Sequence, residues 1–374
     1  MIRNYSIHNF KNHADTKLEL GNLSILTGIN GAGKSSVLQT MLLLRESFTK
    51  NPQMQQLFLD GVSFQIGRSN ELVNPAVKAD FDKLRITVES EGKEVAFSYK
   101  YPLDYKNSNG LACDESFNTY HPLALFELSL FNDNFQYLSA FRVGPQDSYD
   151  SNTNVVDAHR QLSYRMGMGE YAVYFLNKYS REDIPIPALS YLPNMPLELG
   201  IQAQAWMNEI SNGIQFSITE ADGIYTIRYG YSRAGKTVFY HSAYNTGYGV
   251  SYVLSIIVAV LSAKPGSLLL IENPEAHIHP SGQSALMRLI SLAAENGVQI
   301  ILETHSDHII NGALVTYKKN HFDTNNLKIY YFDRDEDFNA NPILLKIGDD
   351  GIIKGAPVGF FDQMEMDLEV LYDL

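Results

Sequence analysis

Alternating apolar and polar positions mark residues 2–8 and 16–20 as a pair of short strands, and the apolar run 23–27 as a strand buried on both faces. A glycine-rich turn follows, and then helical periodicity over 34–50. Alternation returns at 84–89 and 95–100, divided by Glu91-Gly92. The stretch 101–196 is rich in Tyr, Asn, Asp and Pro and carries little periodicity. The pattern around and beyond it predicts helices over 169–179 and 197–210, then strands over 214–219, 224–229 and 237–241. From residue 248 helix and strand alternate: helices over 248–263, 281–295 and 307–318, strands over 267–271 and 298–302. Strand–helix alternation around a glycine turn predicts an α/β fold with a mostly parallel sheet, preceded by an antiparallel β subdomain.

The apolar run 250–263 is shorter than the roughly 20 residues a membrane span needs and ends at Lys264-Pro265-Gly266, so a buried helix is expected and no membrane role. Of the 374 residues 45% are hydrophobic and 19% charged, enough for a sizeable core. The lone cysteine, Cys113, allows no internal disulfide, and no leader pattern is read at the start; a reducing, cytoplasmic setting is expected. A net charge of -13 gives no broad basic footprint for nucleic acid, although a local patch or contact through a partner stays open.

The candidate chemistry begins at Gly28-Ile29-Asn30-Gly31-Ala32-Gly33-Lys34-Ser35, a full P-loop pattern between a predicted strand and a predicted helix. Its glycines let backbone amides face phosphates, Lys34 supplies charge near the β- and γ-phosphates, and the Ser35 hydroxyl suits Mg²⁺. Asn30, Gly31, Gly33, Lys34, Ser35 and Ser36 are therefore the expected ATP contacts. Glu272 ends the apolar run 267–271, where a metal-holding acid is needed, so Ser35 and Glu272 form the expected magnesium pair. A second apolar strand ends in Glu303-Thr304-His305-Ser306.

With these residues in view, the chain resembles the ABC-type ATPase heads of the structural-maintenance-of-chromosomes proteins, RecF and the overcoming-lysogenization-defect nucleases. Compact bacterial AAA-family relatives of that last group resemble it most. The resemblance covers Ile7-His8-Asn9-Phe10-Lys11, the P-loop and residues 244–308, and more loosely Tyr137-Leu138-Ser139-Ala140-Phe141-Arg142. It implies that Glu272 stands at the Walker B position and that His305 is the switch histidine sensing the γ-phosphate. It also implies that residues 245–251 are the signature motif, with Gly247, Gly249 and Ser251 contacting nucleotide held by a second copy. Gln65 is its candidate Q-loop glutamine.

Two departures follow. The signature differs from the Leu-Ser-Gly-Gly-Gln of transporter cassettes. Asn273 stands where the catalytic glutamate is usual, and an amide cannot serve as general base; Glu275 is the substitute, so Glu272, Glu275 and His305 are the catalytic candidates. Histidines 277, 279, 305 and 308 admit a metal-hydrolase alternative, but no His-Glu-x-x-His motif is present and the P-loop would go unexplained. For His277 and His279 a loop packed at a dimer interface is preferred.

No sustained heptads separate the P-loop from the signature, so coiled-coil arms are not expected. Residues 1–374 read as one head, with 101–212 an inserted lid or partner-binding lobe. Residues 333–337 read as a solvated acidic turn, and the tail 359–374 is expected to dock on the body, with partner binding as its alternative. The resemblance implies an ATP-dependent homodimer that hydrolyses ATP and regulates a separate effector, such as a nuclease, in bacterial phage defence. A RecF-like DNA-repair ATPase and an ATP-gated scaffold that scarcely turns over are the alternatives.

Overall fold

Two antiparallel strands, β1 (Ile2–Phe10) and β2 (His13–Glu19), open the chain, and the buried β3 (Leu23–Gly28) turns through the glycine loop into α1 (Lys34–Lys50). The computed structural model describes residues 1–77, 82–102, 108–114, 122–232, 238–348 and 350–372. β4 (Gln56–Phe58), β5 (Lys83–Ser90), β6 (Lys93–Lys100) and β7 (Gly110–Cys113) join the first two strands in an antiparallel sheet ordered β2-β1-β5-β6-β7-β4. A one-turn α2 (Pro122–Leu125) precedes β8 (Phe135–Leu138). Then come α3 (Ala172–Tyr179), α4 (Leu199–Ile210) and a small sheet of β9 (Ile214–Ala221), β10 (Ile224–Tyr231) and β11 (His241–Ser242). The expected strand over 237–241 begins on residue 237, outside the described residues.

The next elements alternate as the pattern predicts: α5 (Tyr248–Ser262), β12 (Leu268–Glu272), α6 (Pro280–Glu295), β13 (Gln299–Glu303) and α7 (Asp307–Asn320); β14 (Leu327–Arg334), β15 (Ala340–Leu344), a short hairpin of Lys346–Ile347 with Ile353–Lys354, and α8 (Gln363–Tyr372) follow. The central sheet runs β15-β14-β3-β13-β12-β8, parallel throughout except for β15. β13 thus lies between the strand feeding the P-loop and the strand ending in Glu272. Strand alternation sorts this sheet's side chains into two cores. Leu23, Ile25, Leu269, Ile271, Ile300 and Leu302 face α3 to α7, and Leu26, Leu268, Leu270 and Ile301 face α1 and the antiparallel sheet.

Local backbone explains where observed elements depart from the expected ranges. β2 starts at His13 because that residue pairs with Phe10 across a tight turn. α3 starts at Ala172, since Gly167 and Gly169 hold left-handed φ values of 63° and 68°. Within 101–212, β7 belongs to the antiparallel sheet, β8 is an edge strand of the parallel one, and α3 and α4 pack on α5. The protein has a mixed α/β fold, and among the described residues no helix is long enough for a coiled-coil arm or long and apolar enough to cross a membrane.

Candidate functional site

The P-loop is built by close backbone packing. Gly28 has φ 126°, and a Cβ there would sit 2.1 Å from the Phe332 carbonyl oxygen. Gly33, at φ 105°, caps α1, and the ring of His13 lies against it, Nε2 meeting the Gly33 oxygen at 3.0 Å and Nδ1 the Thr16 hydroxyl at 2.9 Å. No side chain caps α1 and no acid lies in its first turn, so its free N–H groups and positive dipole end are open to an anion. The loop's outer carbonyls are tied down: Asn30 O accepts from Arg334 Nη2 at 2.9 Å and Gly31 O from Asn12 Nδ2 at 3.3 Å. Ser36 follows in the first turn, half-buried.

Lys34 is buried, its ammonium donating to Gly28 O at 2.9 Å and Ile29 O at 2.8 Å. Burial lowers its pKa, partly offset by the charge of Glu303. The Ser35 hydroxyl donates to Glu303 Oε1 at 2.9 Å, and Glu303 Oε2 is buried with no hydrogen-bond partner among the described residues. Glu303 stands level with Glu272 in the β12–β13 pairing. Burial pushes the Glu303 carboxyl up to about 7; Glu272 and Glu275 add to the rise, while Ser35 and Lys34 oppose it.

Glu272 takes its hydrogen bonds from the β8 side instead. Its Oε1 accepts from the Tyr137 hydroxyl at 3.0 Å and its Oε2 from the Ala140 N–H at 3.2 Å. Burial raises its pKa, and those two donors and Arg142 hold the rise down. Arg142 is itself buried, its guanidinium bonding the carbonyls of Ser139, Glu272 and Asn273. Asn273 holds φ 43°, a left-handed conformation that asparagine adopts more readily than most residues. Glu275 Oε1 accepts from the His305 N–H at 2.8 Å and so links the loop after β12 to the loop after β13. His305 is exposed; partial burial and Lys34 lower its pKa, and Glu275 opposes them.

At the expected signature, Gly247 caps α5 with no side-chain bond, and a Cβ on Gly249 would lie 2.2 Å from the His277 carbonyl oxygen. Ser251 is buried beside Tyr149 and Tyr229, inside the core and away from the exposed start of the helix. Gln65 is exposed and bridges to Asp60, on the loop after β4. The other histidines have local partners: His277 packs on Tyr252 at 5.0 Å, His279 accepts from the Ser281 N–H, and His308 lies 3.7 Å from Asp307. Among the described residues no three His, Cys, Asp or Glu side chains form a metal-holding group. In the tail, Phe360 packs on Tyr331 at 5.9 Å. Gly359 and Phe361 line a cavity of about 120 Å³ with Gly28, Ile29 and His305, whereas Met366, Val370 and Leu371 of α8 are exposed.

Tertiary structure therefore brings Lys34, Ser35, Glu272, Glu275 and His305 to one end of the parallel strands. It adds Glu303, Tyr137 and Arg142, to which sequence reading gave no role. The signal for Glu303 was present, as a polar residue ending an apolar strand.

A family described as "AAA domain, putative AbiEii toxin, Type IV TA system" matches residues 23–311, and one described as a protein of unknown function matches 323–371. No curated protein matches the chain. A crystal structure of the SmcHead bound to the C-winged helix domain of ScpA is similar at 14% identity and TM-score 0.53, over 92% of this chain and 98% of that one. The Smc head domain with an extended coiled coil, bound to the C-terminal domain of ScpA derived from Pyrococcus furiosus, is similar at 13% identity and TM-score 0.51, over 100% and 98%. These likenesses show the fold. The chain belongs to that AAA-domain family, and its fold is like that of the Smc heads.

Proposed function

We propose that the chain binds Mg²⁺-ATP at its P-loop, dimerises around the nucleotide and hydrolyses it to control a separate effector. The observation that carries this reading is Lys34: a buried ammonium donating to two P-loop carbonyls, beside an uncapped helix start. Triphosphate would draw that ammonium and the N–H groups after Gly31 and Gly33 onto its oxygens. The buried, partnerless Glu303 oxygen next to the Ser35 hydroxyl fits a divalent cation, which would neutralise phosphate charge there. In this reading Glu272 and Glu275 serve water activation and His305 senses the γ-phosphate, supported by the bonds that fix Glu272 on Tyr137 and Ala140 and Glu275 on His305. The open start of α5 with Gly247 and Gly249 would cover nucleotide on a second copy.

The effector and a role in phage defence rest on the family's toxin–antitoxin description and on the resemblance to overcoming-lysogenization-defect proteins. Residues 101–212 are the proposed partner-facing lobe. The scaffold alternative is favoured by one observation, the amide of Asn273 in the place of a base.

The test is calorimetric ATP binding by the full chain, with phosphate release measured alongside. Lys34→Ala should abolish both. Equal binding by wild type and Lys34→Ala would sink the nucleotide reading; binding without release would leave the scaffold.

A further inference from the structure

The two carboxylates that end β12 and β13 are paired in register, but they are not equivalent. Each oxygen of Glu272 already accepts a hydrogen bond from the β8 side, one from Tyr137 and one from Ala140. Glu303 has one oxygen on the Ser35 hydroxyl and the other buried with no partner. It is 4% exposed, and the acids Glu272 and Glu275 lie within electrostatic reach.

A buried carboxylate with a free oxygen and two like-charged neighbours is costly unless a cation compensates it. Lys34 does so in part, but two of its N–H groups are given to the carbonyls of Gly28 and Ile29. If the lysine engages phosphate, Glu303 keeps its charge only beside another cation. The hydroxyl it holds among the described residues, Ser35, is the P-loop group expected to ligate magnesium. Topology gives the reason: β13 is the immediate neighbour of β3, and β12 is one strand further away.

We infer that Glu303, rather than Glu272, is the carboxylate that receives the magnesium ion accompanying ATP at Ser35. This rests on the nucleotide reading above. Glu272, braced by Tyr137, Ala140 and Arg142, then keeps the end of β12 in place and remains free for a different task on the nucleotide. The assignment also explains how a P-loop ATPase fold can carry a glutamate at the end of β12. A longer acid displaced toward β8 leaves the metal seat to the neighbouring strand.

The experiment is binding of a methylanthraniloyl-ATP probe to the full chain, in excess EDTA and then across a Mg²⁺ titration. For wild type, Glu303→Gln and Glu272→Gln, the Mg²⁺ titration is referred to the probe affinity that each protein shows in EDTA. The Mg²⁺ midpoint should rise at least about tenfold in Glu303→Gln and less than about threefold in Glu272→Gln, a loss of one charge-assisted ligand. An unchanged midpoint in Glu303→Gln, or a larger shift in Glu272→Gln, overturns the assignment. Should Glu303→Gln fail to fold, Glu303→Asp keeps the charge but withdraws it by one methylene, and an unchanged midpoint there is equally fatal. A wild type that binds no probe under either condition removes the nucleotide site itself, and the inference falls with it.

Discussion

The guanidinium of Arg142 donates to the backbone oxygen of Asn273 at 2.7 Å, so a buried arginine from the loop after β8 fixes the turn that follows the strand-end acid. The same guanidinium also serves Ser139 and Glu272, and burial pushes its pKa down to about 10, which leaves it charged at neutral pH. Arg142→Met should cost about 3 kcal/mol in denaturant unfolding, because three buried carbonyls lose their donor. It should also weaken ATP binding, which Arg142→Lys should partly restore. A loss under about 0.5 kcal/mol would show the network to be dispensable.

Gly249 and Gly247 make a matched pair. A methyl at 249 meets the His277 carbonyl, whereas nothing lies within 4 Å of one at 247, and neither glycine needs a positive φ. Gly249→Ala should lower stability by about 1–3 kcal/mol through forced separation of α5 from the loop after β12. Gly247→Ala should leave thermal unfolding nearly unchanged. If the start of α5 contacts ATP on a second copy, Gly247→Ala should still impair ATP-dependent dimerisation in sedimentation velocity. Normal dimerisation in that variant would remove Gly247 from the interface.

His13 gives a pH signature for the P-loop support. Burial pushes its pKa from 6.5 down to about 4, against the hydrogen bond with Gly33 and with a smaller push from Lys11 in the same direction. The unfolded chain therefore binds a proton between about pH 6.5 and 4 that the folded chain refuses. Stability from this group is present above pH 6.5 and is lost as pH falls through that window, by up to about 3 kcal/mol. His13→Gln should flatten the fall relative to wild type in chemical denaturation at pH 4.5 and 7. Parallel curves for the two proteins would contradict the neutral, buried state of His13.

Glu275 holds the His305 amide from across the site. Glu275→Gln should reduce phosphate release at least about tenfold while ATP affinity stays within about threefold, as for a group that acts after binding. Unaltered release would clear Glu275 of any part in turnover and leave Asn273 without a substitute.

The sequence by itself determined much of this architecture, because the signals are local. The short apolar runs in Ser267 to Ile271 and Val298 to Leu302 mark strands buried on both faces, and the glycines from 28 to 33 mark a phosphate-loop pattern. Helical periodicity located α1 to within its observed ends, Lys34 and Lys50. Which acid meets which hydroxyl was not legible. Ser35 and Glu303 are 268 positions apart, and period-two alternation tells which face a residue takes, not which strand lies beside it. The insertion of β13 between β3 and β12 sets Glu303 on the P-loop serine, and β8 at the edge turns Glu272 toward Tyr137. Strand order is settled by packing of whole elements across both cores, and so the division of labour between the two glutamates belongs to the tertiary structure.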